Sequence, residues 1–197
     1  RENPPATHRR AMDDTQTLGA ARAAYYESNH FGADGGDALE WVPIKVLGLT
    51  LKIPNSDGRR RAVRIHDLHH VVTGYQTDLR GEAEIGAWEL ASGCLRWPAA
   101  TILNLFALGI GLVIAPGRLI KAWARGRHTH NLYGENGVDH LLPRRVTEIR
   151  TTLGLAGTAP RARRRDAVAG FARGLPMLAV MAAPLRAGLA VIRALVH

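Results

Sequence analysis

The chain has 197 residues, of which 46% are hydrophobic and 22% charged, a composition that favours a folded domain and excludes a disordered chain. The formal net charge is +9; residues 1–40 contain four Arg against seven Asp and Glu, or −3, which leaves +12 for the rest. Basic charge therefore coincides with the apolar part of the chain, which favours an anionic membrane surface or a phosphate-bearing lipid as partner. Aromatic residues make up only 6% and do not alternate with basic ones, so nucleic acid is not expected as a partner.

Cysteine usage and the first residues indicate the compartment. Cys94 is the single cysteine, which excludes an internal disulfide framework and a cysteine-rich zinc site and fits a reducing cytosol. The first ten residues, RENPPATHRR, contain no apolar core of the kind that a secretory signal requires. We therefore expect a cytoplasmic protein.

The first predicted elements are a helix and a small β element. Residues 13–29 predict a helix that Asp13 or Asp14 caps. Residues 40–55 alternate apolar and polar side chains, which predicts one or two short strands near residues 42–53.

Two further helices follow in the prediction. The helical pattern returns over residues 62–73 and is interrupted at Gly74. A second helix starts at Thr77 or Asp78 and ends near Gly93.

Residues 99–116 form an apolar run at the length threshold for a membrane span. Prolines bracket this run tightly, so we expect a buried or membrane-dipping helix rather than a full span. Glycines within it would make room for a lipid chain, or would serve ordinary close packing. The residues that we expect to contact lipid or substrate are Leu103, Phe106, Gly109, Gly111, Arg125 and Arg127.

The last part of the chain is basic and apolar. Residues 141–155 predict a short amphipathic helix, and a basic linker leads from it into an apolar tail. Pro176 and Pro184 divide the apolar stretches of this tail into pieces too short to cross a bilayer. The pattern favours an amphipathic helix at a membrane interface, with core or dimer packing as the alternative.

The stretch RIHDLHHVVTGYQTDLRGEAE, residues 64–84, concentrates histidines and carboxylates. On a helix, His66 and His70 lie four residues apart on one face, within reach of a single ion. Asp67 can join them at the ion or accept the other N–H of one ring and so hold its orientation. The pair is therefore a candidate metal site.

Glu82 is the next candidate ligand, because breaks at Gly74 and Gly81 would let the following helix fold back and bring its carboxylate to the same ion. Two imidazoles with one or two carboxylates suit zinc first, and also iron, cobalt or manganese. With four or fewer protein ligands, a position stays open for water or substrate, as in catalytic metal sites.

The other polar residues of this stretch are weaker candidates. Asp78 is as good a helix cap as a ligand. Glu84 and Glu89 are expected on a solvated face. His69 lies roughly 100° from His70 around the helix, so we expect it to line a pocket or the surface.

The pattern H-D-x-x-H, then eleven residues and Glu, resembles the metal-ligand motif of the ubiquinone biosynthesis protein 4 family, whose members act in coenzyme Q synthesis. HDLHHVVTGYQTDLRGE is similar to the HDLWHVLTGY…GE segment of that family, and AWARGRHTHNLY and LLPRRVTEIRTTLGL are similar to its basic segment and closing short helix. The resemblance covers about residues 40–155. It departs from the family at His69, where an aromatic residue is common, and beyond residue 160.

The resemblance implies a helical, often dimeric protein at a membrane face, with a metal near the opening of an apolar cavity. It implies removal of the C1 carboxylate of a polyprenylated hydroxybenzoate-type precursor, coupled to hydroxylation at that carbon. The metal would bind the substrate carboxylate or phenolate as a Lewis acid, and Asp67 or Glu82 could move a proton. The implied metal ligands are His66, Asp67, His70 and Glu82.

We therefore predict a mainly α protein, a single helical domain with a small β element near residues 42–53 and a C-terminal amphipathic helical tail. Its parts are an N-terminal arm and helix (1–39), a metal-binding helical core that resembles the family (40–155), and a basic linker with a membrane-interacting tail (156–197). Expected partners are a prenylated aromatic lipid, the anionic inner face of the cell membrane, where the protein would be peripheral, and a second copy of the chain.

Two other functions compete with this one. An older view of the family favours a non-catalytic lipid-binding or scaffold protein for other quinone-biosynthesis enzymes. The second alternative, a metallopeptidase, has weak support. Asp67 is one methylene shorter than the Glu base of HExxH, and the spacing to the third ligand does not suit that class.

Overall fold

The computed structural model describes residues 15–46, 49–177 and 179, and helices dominate them. The predicted mainly α architecture with a small β element is confirmed. The elements are α1 (Leu18–Ser28), β1 (Trp41–Val46), β2 (Leu49–Pro54), α2 (Asp57–Thr73), α3 (Leu79–Ser92), α4 (Pro98–Ile114), α5 (Pro116–Gly126), single-turn 3₁₀ helices at Leu132–Gly134 and Asp139–Leu141, and α6 (Val146–Thr152). Residues 164–177 are also helical and are called α7 below.

The chain divides into two compact units, each of which is considered by itself. The first unit takes its described residues from Arg1–Gly74 and Gly134–Gly157, and so contains α1, α2, α6 and the two strands. The second takes them from Tyr75–Tyr133 and Thr158–His197, and so contains α3, α4, α5 and α7.

In the first unit, α1 begins where a side chain can cap it. The Thr17 hydroxyl accepts a 3.2 Å hydrogen bond from the backbone of the first turn, and the helix buries Leu18 and Tyr26. The predicted caps, Asp13 and Asp14, lie outside the described residues. The helix therefore starts later than the pattern indicated.

The two strands form an antiparallel pair that leads directly into α2. Pairing runs from Trp41 opposite Pro54 to Val46 opposite Leu49, which confirms the β element near residues 42–53. The next helix then starts earlier than predicted, because Ser56 caps it by accepting a hydrogen bond from the Arg59 backbone.

Helix α2 ends where the sequence predicted. Gly74 adopts a left-handed conformation (φ 77°), and its N–H bonds to the carbonyl of His70. This is the ordinary way in which a glycine ends a helix, since a Cβ would be strained there.

The second unit is built where small residues let helices approach. A Cβ on Gly86 of α3 would lie 3.1 Å from the Cβ of Ala107 in α4, and one on Gly126 of α5 would lie 2.4 Å from the carbonyl oxygen of Trp88. Helices α4 and α5 each start at a proline, which is favourable at a first turn. The apolar run 99–116 thus lies in α4 up to Ile114, and only its last residue, Pro116, belongs to α5.

No helix among the described residues has both the length and the apolar character that crossing a bilayer requires. Helix α4 contains 17 residues and ends before Pro116. The predicted C-terminal tail is described only as far as α7 and residue 179, and its remainder lies outside the described residues.

Candidate metal centre

The histidine pair of α2 converges as its spacing predicted. Nε2 of His66 and Nε2 of His70 are 3.1 Å apart, with ring planes at 88° and ring centroids at 4.7 Å. His70 is only 2% exposed, and His66 is half-buried. At this distance one ring donates to the other, or both rings face a common ion.

The distance between the two nitrogens fits the second possibility. Zinc binds imidazole nitrogen at about 2.05 Å, so two such ligands are about 2.9 Å apart at a right angle and about 3.3 Å apart at the tetrahedral angle. The observed 3.1 Å lies between these values. The pair therefore fits two adjacent positions on one divalent ion.

An aromatic side chain from α1 supports His70. The Tyr25 ring stacks on the His70 ring, with centroids 5.5 Å apart and planes at 19°. Phe31 in turn packs edge-on against Tyr25, with centroids 5.8 Å apart. The sequence offers no signal for this stack, since 45 positions separate the two rings.

Asp67 is buried within the first unit and has a tyrosine hydroxyl as donor. The Tyr26 hydroxyl hydrogen-bonds to its carboxylate, and burial together with this carboxylate raises the pKa of Tyr26, so that the hydroxyl keeps its proton. Burial lowers the pKa of the Arg59 guanidinium, while the charge of Asp67 acts in the opposite direction. The Tyr26 hydroxyl thus replaces part of the hydration that the buried carboxylate has lost.

Glu82 lies in the first turn of α3, and Asp78 caps that turn. Oδ1 of Asp78 accepts a 2.7 Å hydrogen bond from the Gly81 N–H, so the cap is the role that the structure assigns to Asp78. Gly81 is inside the helix and is not the predicted break. A Cβ on Gly81 would lie 2.1 Å from the carbonyl oxygen of Gln76. Only glycine therefore fits where the Gln76 backbone passes α3.

His66, His70 and Glu82 form a group that could hold a metal ion. Each offers one ligand atom, and these atoms all lie within 4.8 Å of one another. Asp67 is not part of this group, and its carboxylate accepts from the Tyr26 hydroxyl. The group is two imidazoles and a carboxylate, the donor set of an open catalytic site.

The structure also decides two other predictions for this stretch. His69 is fully buried, which excludes the surface and leaves the pocket-lining alternative. Glu84 is not on a solvated face either, because the Arg118 guanidinium of α5 donates to it and leaves its side chain only 12% exposed.

The prediction that Glu89 lies on a solvated face is also wrong, because its side chain is 0% exposed. Its Oε2 accepts hydrogen bonds from Asn104 Nδ2 at 2.5 Å and from the Tyr133 hydroxyl at 2.9 Å. Asn104 also lies 3.6 Å from Cys94 Sγ, and burial raises the pKa of that thiol. The result is a buried polar network that stabilises the carboxylate inside the second unit.

The residues predicted to contact lipid on α4 have mixed environments. Leu103 is half-buried, Phe106 is exposed, and Gly109 is buried. A Cβ on Gly111 would lie 2.5 Å from Leu119 Cδ1, so helix packing already fills the space beside it. Gly111 therefore serves close packing, the alternative that the sequence left open.

The two predicted lipid-contacting arginines both have partners inside the second unit. Arg125 lies over the Tyr75 ring, 5.3 Å from its centroid, and Arg127 pairs with Asp166 at 2.9 Å. Burial raises the pKa of the Tyr75 hydroxyl, and Arg125 partly opposes this. Both arginines thus hold parts of their own unit together.

Comparisons with protein-family models, with curated proteins and with solved structures found no match. The likeness to the ubiquinone biosynthesis protein 4 family therefore rests on the quoted residues alone.

Proposed function

We propose that the protein is a metal-dependent enzyme of ubiquinone biosynthesis. It would remove the C1 carboxylate of a polyprenylated hydroxybenzoate-type precursor and hydroxylate the same carbon. The observation that carries the proposal is the group His66, His70 and Glu82, whose ligand atoms lie within 4.8 Å of one another. The order of these residues in the H-D-x-x-H…E motif, with its flanks, supports the choice of substrate class.

Each side chain has a distinct task in this proposal. A divalent ion at the site would supply Lewis acidity toward the substrate carboxylate or phenolate. His66 and His70 hold the ion, and the Tyr25 ring fixes the plane of the His70 imidazole. Glu82 adds the carboxylate ligand and can move a proton where it is not committed to the ion.

Dioxygen is the oxidant that we propose, because the residue pattern contains no flavin or nicotinamide fingerprint. The C1 carboxylate leaves as carbon dioxide, one oxygen atom enters at C1, and the other leaves as water. The ring is then left as the quinone, so no further electron donor is needed.

We propose as partners a prenylated aromatic lipid, the inner face of the cell membrane and a second copy of the chain. The motif with its flanks supports the lipid and the second copy, and the charge distribution supports the membrane.

The test is metal analysis of the purified protein together with turnover of a prenylated hydroxybenzoate under oxygen. We expect about one divalent ion per chain, and loss of both ion and carbon dioxide release in His66→Ala, His70→Ala and Glu82→Ala with unchanged circular dichroism. Glu84→Gln is the matched control, since Glu84 lies two positions from Glu82 on α3 but outside the group.

Two outcomes would contradict the proposal. Full activity in the His66→Ala variant would exclude a catalytic metal at this site. Stoichiometric metal and co-purified prenyl lipid without turnover would instead identify a non-catalytic lipid-binding or scaffold protein.

A further inference from the structure

Helix α7 meets the rest of the second unit through its smallest residues. Asp166, Gly170 and Gly174 recur at four-residue intervals along one side and are buried. A Cβ on Gly174 would lie 2.5 Å from Leu112 Cδ1 of α4, and one on Gly170 would lie 3.7 Å from Leu119 Cδ2 of α5. The contact at Gly174 is too short for a side chain, whereas the one at Gly170 is ordinary van der Waals contact, so Gly174 is the position that lets α7 lie directly on α4.

Two charged contacts fix the rotation of α7 about its axis. Asp166 is 1% exposed; its carboxylate accepts from Arg127 Nη1 at 2.9 Å and from the Arg163 N–H at 2.7 Å. Farther along, the Arg173 guanidinium lies over the Trp123 ring, 5.0 Å from its centroid. These contacts hold the glycine side inward and so determine which side faces outward.

The outer side of α7 carries a short stripe of exposed apolar side chains. Val168, Ala172 and Leu175 recur at i, i+4 and i+7, a spacing that places them in one stripe along a helix. All three are exposed, Val168 at 68% and Leu175 at 54%. Arg164 and Arg165, also exposed, flank this stripe at its beginning. These five residues are called the outer face of α7.

The charge on the outer face selects the partner. Asp166 is the only acidic residue among residues 158–177, and it is buried against Arg127. A second copy of the chain would bring this face against itself, and none of its five residues is acidic, so the face offers the arginines of the other copy no carboxylate. An anionic bilayer offers negative charge to the arginines at its headgroups. Just beneath the headgroups it offers acyl chains against which the apolar stripe can be buried.

We propose that the outer face of α7 docks onto an anionic lipid surface. Val168 and Leu175 enter the boundary between headgroups and acyl chains, and Arg164 and Arg165 contact lipid phosphates. The helix lies in the plane of the membrane while its glycine side stays packed on α4 and α5. This inference rests on the membrane partner of the proposed function but does not depend on the metal site.

The test is sedimentation of the full chain with vesicles of phosphatidylcholine, with and without phosphatidylglycerol, at low and high salt. Binding is expected only with phosphatidylglycerol and weakens with salt, because the arginine contacts are screened. An arginine near an anionic surface contributes about 1 kcal/mol, or roughly fivefold in the partition coefficient, so Arg164→Gln with Arg165→Gln lowers it about 25-fold. Val168→Ser lowers it as well.

The matched control is Leu95→Ser, which replaces an apolar residue of the same unit that is 70% exposed and lies outside α7. It is expected to bind vesicles as the unaltered chain does. An environment-sensitive fluorophore on Val168→Cys shifts to the blue on anionic vesicles, and the same fluorophore on Leu95→Cys does not. Cys94 is buried and does not compete for the label.

Three results would overturn the proposal. The first is vesicle binding by the Arg164→Gln and Arg165→Gln double variant equal to that of the unaltered chain. The second is an unshifted fluorophore at position 168. The third is a dimer, detected without vesicles and abolished by Val168→Ser, which would assign the outer face to a second copy.

Discussion

At the scale of single residues, Glu89 shows how a buried carboxylate is accommodated in the core. A buried charge is costly unless hydrogen-bond donors replace its hydration. Asn104 and the Tyr133 hydroxyl supply two such donors at 2.5 and 2.9 Å. The Trp97 indole N–H, which bonds to the Tyr133 carbonyl at 2.9 Å, connects the same residue to the start of α4.

We expect Tyr133→Phe to destabilise the protein by about 1.5–3 kcal/mol, the usual contribution of a hydrogen bond to a charged group. The ring packing stays, so the loss reports on the hydroxyl alone. Urea unfolding followed by circular dichroism measures it. Combining Tyr133→Phe with Glu89→Gln is the control: if the hydroxyl acts through the carboxylate, the two effects are not additive.

At the scale of elements, caps decide where the helices begin and end. Thr17, Ser56 and Asp78 each accept a hydrogen bond from the first turn of a helix. Gly74 and Gly93 end α2 and α3 with positive φ values of 77° and 111°. Asp78 matters most for function, because it anchors the turn that contains the candidate ligand Glu82.

Asp78→Ala is expected to cost about 1 kcal/mol of stability, since the side chain is exposed and caps the first turn of α3. It should also weaken metal binding, because the first turn of α3 frays. Asp78→Asn keeps an acceptor and serves as control. Chelator competition measures the affinity, and an Asp78→Ala protein with unchanged affinity would separate the cap from the metal site.

At the scale of the whole molecule, the described chain is two compact units, and α7 belongs to the core of the second. Its buried Asp166 is the only ionic link that the structure records between α7 and the helices α3, α4 and α5 within the described residues. The partner Arg127 keeps 35% of its side-chain surface exposed, which moderates the strength of the pair.

Asp166→Ala should therefore loosen α7 without unfolding the unit. We expect its local opening free energy to fall by about 2 kcal/mol, or roughly 30-fold in exchange rate, for a lost bond to a charged group. Hydrogen exchange read over residues 164–177 measures this, with α3 as internal reference. Equal acceleration in α3 would mean global destabilisation and would contradict a local role.

The features predicted correctly from the sequence are those that depend on neighbouring residues. The i, i+4 histidine pair follows from the pitch of one helix, and the helix ends at Gly74 and Gly93 follow from backbone conformations that glycine adopts without strain. The small β element follows from alternation over residues 40–55. Each of these is determined within a few turns of chain.

Only the tertiary structure decided which polar residues are buried and what satisfies them. Glu89 looked solvated because its donors lie 15 and 44 positions away, and Tyr25 could not be placed on His70 from a separation of 45 positions. The orientation of α7 likewise depends on Arg127 and Trp123, which precede it by more than 30 residues. The local sequence pattern predicts the periodicity of a helix. Which face of the helix is buried depends on the surface against which the helix packs.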